Sequence, residues 1–240
     1  MDLAENFGRA KFGAIIRLSR SQISINNNLY KPLILLYFMN KIKQAVEEGV
    51  VKKLPQDNYE KYRWFFTSSG NLVIGGKSAE QNEELVLKMI KQAVDYVVMH
   101  TKTPGSPFSF IIAPRDKVKT KDLEECAVFT GCFSRAWREN KKGAMVDIFS
   151  SLQINKKKNM KTGTFGVAGD VIRKEVELKL YFTKQKNKIR AVPQLNKNAL
   201  CIIPGNIPKE KIAEELMEKL KAGKDEILNA LPTGGFEIIK

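Results

Sequence analysis

Residues 61–89 read KYRWFFTSSGNLVIGGKSAEQNEELVLKM, and this stretch decides the fold of the chain. Aromatic and apolar residues at 62–67 predict one strand, and those at 72–74 predict a second. The turn between them is expected at Ser68-Ser69-Gly70. Gly75-Gly76 then allows a sharp bend, because glycine carries no Cβ penalty at positive φ. The stretch is therefore expected to form a β-hairpin that bends sharply at its end.

A helix is expected to follow this bend. Ser78 with Gln81 three positions later is the pattern of a capping box. Apolar residues at every fourth position predict one buried helix face: Leu85, Met89, Ala93 and Val97. The free N–H groups and dipole of a helix start favour anions, phosphate above all. Lys77 lies at this start, with Gln81 and Asn82 in the first turn, so we predict a phosphate site; the alternative is an ordinary strand–turn–helix with a solvated lysine.

The aromatic strand has two faces with different consequences. Tyr62, Trp64 and Phe66 alternate with Arg63, Phe65 and Thr67 along it, so each group occupies one face. One face must belong to the core. The other either completes a second core or stacks nucleobases, as the sheets of some RNA-binding domains do.

Three blocks of sequence resemble the NFACT-R family, the RNA-binding domain of the NFACT proteins. The first is YRWFFTSSGNLVIGGKSAEQNEELV, the second is MHTKTPGS at 99–106, and the third is SRAW at 134–137. They occur in family order over roughly residues 61–182. Pro107 stands where the family often has a second histidine.

The resemblance implies an RNA-binding domain that acts in ribosome-associated quality control. Full-length NFACT proteins add tails with a large N-terminal domain that this chain is too short to contain. We therefore expect a stand-alone NFACT-R protein without tail-adding activity.

Charge points to the same class of partner. The 240-residue chain has a formal net charge of +15, which favours a polyanion such as RNA, although a solubility bias is the alternative. Two other classes are disfavoured. A P-loop needs a glycine five positions before Gly76, and Asn71 stands there. A multi-histidine metal site is excluded because the chain has one histidine, and we expect no metal and no cofactor.

The sequence also suggests a compartment. The three cysteines lack Cys-x-x-Cys spacing and are expected to be buried thiols of a reducing compartment. No signal peptide is evident, and the longest apolar run, 32–39, is too short to cross a membrane. We expect a cytoplasmic protein that does not bind membranes.

The expected fold is α+β, with a mixed β-sheet and packed helices. An N-terminal leader (1–57) contains one helix from Pro32 to Gly49, the NFACT-R-like core spans 58–182, and a strand–helix unit follows at 183–240. Within the core we predict a helix capped by Thr120, one half-buried strand over 176–182, and a basic hairpin loop at 156–161. The oligomeric state is left open.

The residues predicted to contact RNA are the polar and basic positions of these segments. They are Arg63, Lys77, Ser78, Gln81, Asn82, His100, Lys102, Gly105, Ser106, Arg135, Lys156, Lys157, Lys158 and Lys161. The RNA is expected to be tRNA or rRNA, with the large ribosomal subunit as a candidate partner.

Two other functions stay open. In an RNA-modification enzyme, or its accessory subunit, His100 would be the general base and Ser106 or Cys126 the nucleophile. The chain could instead be a protein-interaction module on the ribosome, with His100 simply packed at a strand end and satisfied by backbone. Of these, we expect a binding protein rather than an enzyme.

Overall fold

The computed structural model describes residues 58–194 and 199–239, so the predicted leader and its helix lie outside the described residues. The strands are β1 (Arg63–Phe66), β2 (Leu72–Gly75), β3 (Tyr96–Thr101), β4 (Ser109–Pro114), β5 (Gly143–Ser150), β6 (Ile154–Asn155), β7 (Gly166–Val167), β8 (Ile172–Glu177), β9 (Leu180–Gln185), β10 (Lys188–Val192), β11 (Cys201–Ile207) and β12 (Phe236–Ile239). The helices are α1 (Ala79–Ile90), α2 (Thr120–Cys132), α3 (Arg135–Arg138), α4 (Lys209–Leu220) and α5 (Lys224–Ala230). None of the helices described is long and apolar enough to cross a membrane.

The strands form three sheets. The largest has six strands in the order β1-β2-β4-β3-β5-β8, a second has four in the order β10-β9-β11-β12, and β6 pairs with β7. Within the described ranges, every strand pairing is antiparallel. The predicted α+β class is confirmed.

A buried hydrophobic cluster packs on each face of the six-stranded sheet. On one face, Trp64 and Ile74 pack in a cluster that includes Leu85 of α1. On the other face, Phe65 packs in a cluster with Phe129 of α2, and the two rings lie 4.7 Å apart between centroids. Because Trp64 is 2% exposed and Phe65 is 0% exposed, the alternative that this strand stacks nucleobases is wrong.

Two helices have ends that differ from those predicted. Helix α1 ends at Ile90 and Ala93 adopts a left-handed φ of 54°, so Ala93 and Val97 do not extend its buried face. Val97 lies in β3 and packs in the cluster on the opposite face of the sheet. Thr120 is the first residue of α2 rather than its cap, since the Asp122 carboxylate accepts the Lys119 N–H at 2.9 Å.

The predicted strand over 176–182 is wrong, because the chain changes sheets within it. Strand β8 ends at Glu177 in the large sheet, and β9 begins at Leu180 in the four-stranded sheet. The alternating apolar residues Val176, Leu178 and Phe182 all pack in one core with α2. Because one core spans both sheets, the alternation of apolar and polar residues continues through the change of sheet. The sequence pattern therefore gave no sign that the strand ends there.

The four-stranded sheet also contacts the exposed edge of β1. The Gln185 side chain accepts the Phe66 N–H at 2.8 Å and donates to the Phe66 carbonyl at 2.9 Å. Arg190 of β10 lies over the Trp64 ring, 4.7 Å from its centroid. These contacts fix the β9–β10 hairpin beside the strand that carries Arg63.

The β1–β2 turn is held by two buried carboxylates of α2. Glu125 accepts hydrogen bonds from the N–H and hydroxyl of Ser68. Asp122, which is 0% exposed, accepts from the Asn71 amide at 2.9 Å. Burial alone would raise the pKa of Asp122, but the hydrogen bonds that its carboxylate accepts, those from the Lys119 N–H and the Asn71 amide among them, outweigh burial and hold this pKa below its usual range.

We expect Asp122→Asn to lower the free energy of unfolding at pH 7 by about 1–3 kcal/mol, because it replaces the charged acceptor of a buried network. With its folded pKa below the unfolded value, Asp122 contributes stability that is fully present above the unfolded pKa and is lost as pH falls through the folded pKa. The variant should therefore lose less stability than the wild type on acidification. Urea unfolding at a series of pH values measures this difference.

The matched control is Glu124→Gln, on the exposed side of the same helix, where Glu124 pairs with Lys174 at 3.0 Å. It should keep the acid dependence of the wild type. An equal change in both variants would show that the buried network does not set the acid sensitivity.

Candidate nucleic-acid interface

A cleft of ≈ 580 Å³ gathers most of the predicted site residues. The start of α1, the turn after β3, the start of α3 and the β6–β7 hairpin line it, and the chain reaches it again at Thr233. Nine of the predicted residues line this cleft: Arg63, Lys77, Ser78, Asn82, His100, Lys102, Gly105, Ser106 and Arg135. The three blocks of the sequence resemblance therefore meet in one place.

The start of α1 is fixed by its own side chains. The Ser78 hydroxyl accepts the Gln81 N–H at 3.2 Å, as the capping pattern predicts, while the Gln81 side chain accepts the N–H of Lys77 at 3.0 Å. Asn82 accepts the Phe108 N–H at 3.2 Å. A Cβ on Gly76 would lie 2.5 Å from the Asn82 side-chain oxygen, so this bend requires glycine. Gln81 and Asn82 thus shape the helix start, and Gln81 does not line the cleft.

The Pro-Gly turn is built around Ser106. The buried Ser106 hydroxyl accepts the Thr101 N–H at 2.9 Å and donates to the Pro107 carbonyl at 3.2 Å. Gly105 has a φ of 113°, and its carbonyl accepts the Arg135 N–H at 2.9 Å. Ser106 therefore supports the turn, and Gly105 joins the turn to the start of α3.

His100 lies in the cleft wall. Its Nδ1 lies 2.7 Å from the Thr101 carbonyl, which can only accept, so Nδ1 carries a proton. Burial lowers the pKa of His100 below its usual value, although this hydrogen bond and Asp147 oppose the shift. The lowered pKa favours the neutral imidazole, in which Nε2 is a hydrogen-bond acceptor.

The cations around the cleft have no ion-pair partners among the described residues. They are Arg63, Lys77, Lys102, Arg135 and Arg138. The one acidic side chain in the lining, Asp147, is paired with Arg173 at 3.0 Å. The cleft is therefore strongly positive, and an anion would find these cations available.

Arg63 is the most desolvated of these cations. Burial, followed by repulsion from Arg190, lowers its pKa to about 10. Its guanidinium stacks on the Phe133 ring, 4.6 Å from the centroid. Partial desolvation and then repulsion from Arg63 also lower the pKa of Lys77, although its side chain is exposed. Cations that repel one another at a desolvated site are stabilised by a shared counter-anion.

The lysines of residues 156–161 lie in the predicted hairpin loop, but Lys156 has a structural role. The β6–β7 pairing flanks the loop. Lys156 is paired with Glu83 of α1 at 2.6 Å and donates to the Lys161 and Thr164 carbonyls. Glu83 also accepts the Gly163 N–H at 2.7 Å, which anchors the hairpin to α1. The Lys156 ammonium group is thus satisfied within the protein, so we expect a structural role for this residue, and the predicted RNA contact stays a prediction.

The other three lysines, Lys157, Lys158 and Lys161, are exposed and lie outside the cleft lining. Replacing all three with glutamine should make the salt dependence of RNA binding shallower, by roughly 0.7 to 0.9 in log–log slope for each phosphate that the loop no longer neutralises. Lys156→Met should instead lower the melting temperature and leave that slope nearly unchanged. Titrations over a range of salt, beside thermal melts, separate the two effects. A slope unchanged in the triple variant would remove this loop from the interface.

Arg138 and Phe165 are two of the lining residues that were not predicted from the sequence. Arg138 lies one helical turn after Arg135, and this i,i+3 spacing is the signal that could have found it. Phe165 lines the cleft from the hairpin, and its sequence context gives no comparable signal.

The candidate nucleophiles of the enzymatic alternative are both unsuited to that role. The hydroxyl of Ser106 is engaged with the backbone on both sides. Cys126 is 0% exposed in the core, and burial raises the pKa of its thiol. Among the described residues, no group of three His, Cys, Asp or Glu side chains could hold a metal ion.

A known family of domains matches the part of the chain that supplies most of the cleft. Residues 61–169 match the family model described as the NFACT protein RNA binding domain. Over these residues the chain is therefore similar to the NFACT RNA-binding domain, as the sequence blocks predicted.

Several proteins are similar to this chain. The archaeal Rqc2 homolog aRqcH of Methanocaldococcus jannaschii is 30% identical over 207 residues, which cover 76% of this chain and 29% of that protein. A ribosome quality control complex subunit NEMF homolog of Drosophila melanogaster is 34% identical over 103 residues, covering 40% of this chain and 10% of that protein. The C-terminal part of a fibronectin/fibrinogen-binding protein from Streptococcus suis has a TM-score of 0.40 at 20% identity, covering 58% of this chain and 54% of that one. The chain spans less than a third of the first two relatives.

Proposed function

We propose that this protein binds RNA through the cleft and acts in the cytoplasm, in translation or ribosome-associated quality control. The observation that carries the proposal is the set of five cations without ion-pair partners, among the residues described, around one cleft in a region similar to the NFACT RNA-binding domain. Lysine and arginine side chains bind phosphates and release condensed counterions, which favours association. The start of α1 beside Lys77 adds the positive end of a helix dipole, which favours an anion such as phosphate.

The RNA in this proposal is tRNA or ribosomal RNA, and the large ribosomal subunit is the candidate partner. Support comes from the relatives, whose names assign them to ribosome quality control or to the Rqc2 proteins. In this proposal the domain binds RNA and performs no tail addition of its own.

Sequencing of RNA crosslinked to the purified protein tests the proposal. We expect tRNA or rRNA to be enriched, with an affinity that falls steeply as salt rises. Crosslinks should concentrate on peptides that contain Lys77, Lys102 or Arg135. Absence of RNA enrichment over a protein of equal charge, or crosslinks only to the C-terminal helices, would overturn it.

The enzymatic alternative is tested in the same samples. His100→Gln should weaken RNA binding by about 0.5–1.5 kcal/mol, the size of one hydrogen bond. The nucleosides of the bound RNA should be the same with wild type and variant. A modified nucleoside that the wild type produces and His100→Gln does not would establish catalysis instead.

A further inference from the structure

The cleft has two kinds of lining. One part carries the cations Arg63, Lys77 and Arg135. Another part is apolar and comes from the residue before β4, from β5, from the β6–β7 hairpin and from the segment before β8. Its side chains are Phe108, Phe149, Phe165, Val167 and Val171. A double-helical backbone would need only the cations, so the apolar part requires a different explanation.

The apolar part contains aromatic rings in contact. The His100 and Phe108 rings lie 4.5 Å apart between centroids at an interplanar angle of 33°, and Phe165 meets Phe108 edge-on at 5.4 Å. Phe165 is only half-buried, and Val167 next to it in the hairpin is 37% exposed. Apolar and aromatic side chains that stay accessible inside a charged cleft provide a surface on which a planar base can lie.

His100 adds a polar group to this surface. Its Nδ1–H group donates a hydrogen bond to the Thr101 carbonyl, while Nε2 has no hydrogen-bond partner among the residues described. An unprotonated Nε2 accepts a hydrogen bond, and the exocyclic amino groups of adenine, cytosine and guanine donate one. A ring nitrogen of this kind would be an unfavourable neighbour for phosphate and a favourable one for a base.

The hairpin that carries Phe165 is held firmly in place. A Cβ on Gly163 would lie 2.9 Å from Ala79, so the loop packs directly on the start of α1. Lys156 and Glu83 lock the same contact at 2.6 Å. Both the apolar surface and the cations are thus present before any ligand binds, which reduces the entropy lost on binding.

We propose that the cleft holds one unpaired nucleotide of an RNA chain, with the base against Phe165, Val167 and His100 and the phosphate at Arg63 and Lys77. This inference rests on the proposed RNA-binding function and narrows its substrate to single-stranded ends, loops or bulges. The cleft volume of ≈ 580 Å³ falls within the range of small-molecule sites. A base within an A-form duplex is stacked and paired, so it cannot enter.

Binding of matched RNAs tests this proposal on the wild-type protein. An unpaired oligonucleotide and a blunt hairpin of the same length should differ in Kd by roughly 5-fold to 100-fold in favour of the unpaired RNA, the range expected for stacking one base. As competitors, adenosine 5′-monophosphate should displace the RNA better than adenosine or inorganic phosphate alone. Equal affinity for both RNAs would overturn the nucleotide site and leave RNA binding intact. Absence of binding to either RNA would overturn the proposed function as well.

Variants locate the base. Phe165→Leu keeps an apolar side chain but removes the ring, so it should weaken binding of the unpaired RNA more than that of the hairpin. Leu152→Ala is the control, because Leu152 is 63% exposed and lies outside the cleft lining. Thermal melts confirm that both variants are folded, and the wild-type comparison stands if one is not. Equal losses for the two RNAs in Phe165→Leu would contradict the proposed base position.

Discussion

Lys77→Glu should reduce RNA affinity by about 10-fold to 100-fold, the largest loss expected from one exposed position. The change removes a cation and places a carboxylate beside phosphates, where like charges cost several kcal/mol. It also sets an acid at the mouth of α1, in place of the cation beside Arg63. The fold should survive because the Lys77 side chain is exposed and its backbone N–H, not its ammonium group, bonds to Gln81.

The matched control is Lys117→Glu, which makes the same charge change outside the cleft lining. Lys117 is exposed and pairs with the neighbouring Asp116, at 3.4 Å. Affinities of the two variants for one RNA, measured at several salt concentrations, separate a local contact from the effect of net charge. Equal losses in both variants would mean that Lys77 acts only through long-range attraction. A lower melting temperature with unchanged binding would make the helix start a structural feature.

Trp137→Ala should lower the free energy of unfolding by about 3–5 kcal/mol, the usual cost of deleting a large buried aromatic side chain. Trp137 is 0% exposed and its indole N–H donates to the Gly235 carbonyl at 3.0 Å. The ring also packs on Phe236, with centroids 5.7 Å apart. Because α3 carries Arg135 and Arg138 into the cleft, RNA binding should weaken too.

Urea unfolding followed by circular dichroism measures this effect, with Trp137→Phe as the control. Phenylalanine keeps most of the apolar contact and loses the hydrogen bond, so its cost should be clearly smaller. Alanine and phenylalanine variants of equal stability would show that the contact between α3 and the C-terminal strand contributes little.

The local signals in the sequence were sufficient where periodicity and turn chemistry act over a few residues. The hairpin of 62–74 and the capping of α1 by Ser78 both follow from such patterns. The errors arose where tertiary packing determines the end of a helix or strand. The alternation through Leu178 continues across a change of sheet, which no local pattern records.

The sequence identified the segments that form the candidate site, but not the role of each side chain in it. The three sequence blocks lie up to about 70 residues apart, and the structure brings them to one cleft. Sequence could not separate side chains that face the cleft from those that build it. Lys156 and Ser106 have the chemistry of ligands, yet each is satisfied within the protein. Lys156 pairs with Glu83 of α1, far away in the sequence, and Ser106 bonds to the backbone of its own block at Thr101.

The Gln185 side chain that pairs with Phe66 has a consequence for solubility. Strand β1 is the outermost strand of its sheet, and such a strand offers free N–H and C=O groups to other molecules. The amide of Gln185 occupies both groups of Phe66, as the peptide unit of a neighbouring strand would. One side chain thus takes the place of the next strand and blocks edge-to-edge association of two copies at this position. On the proposed RNA, several copies of this basic protein would lie close together, and there a protected edge would guard against aggregation.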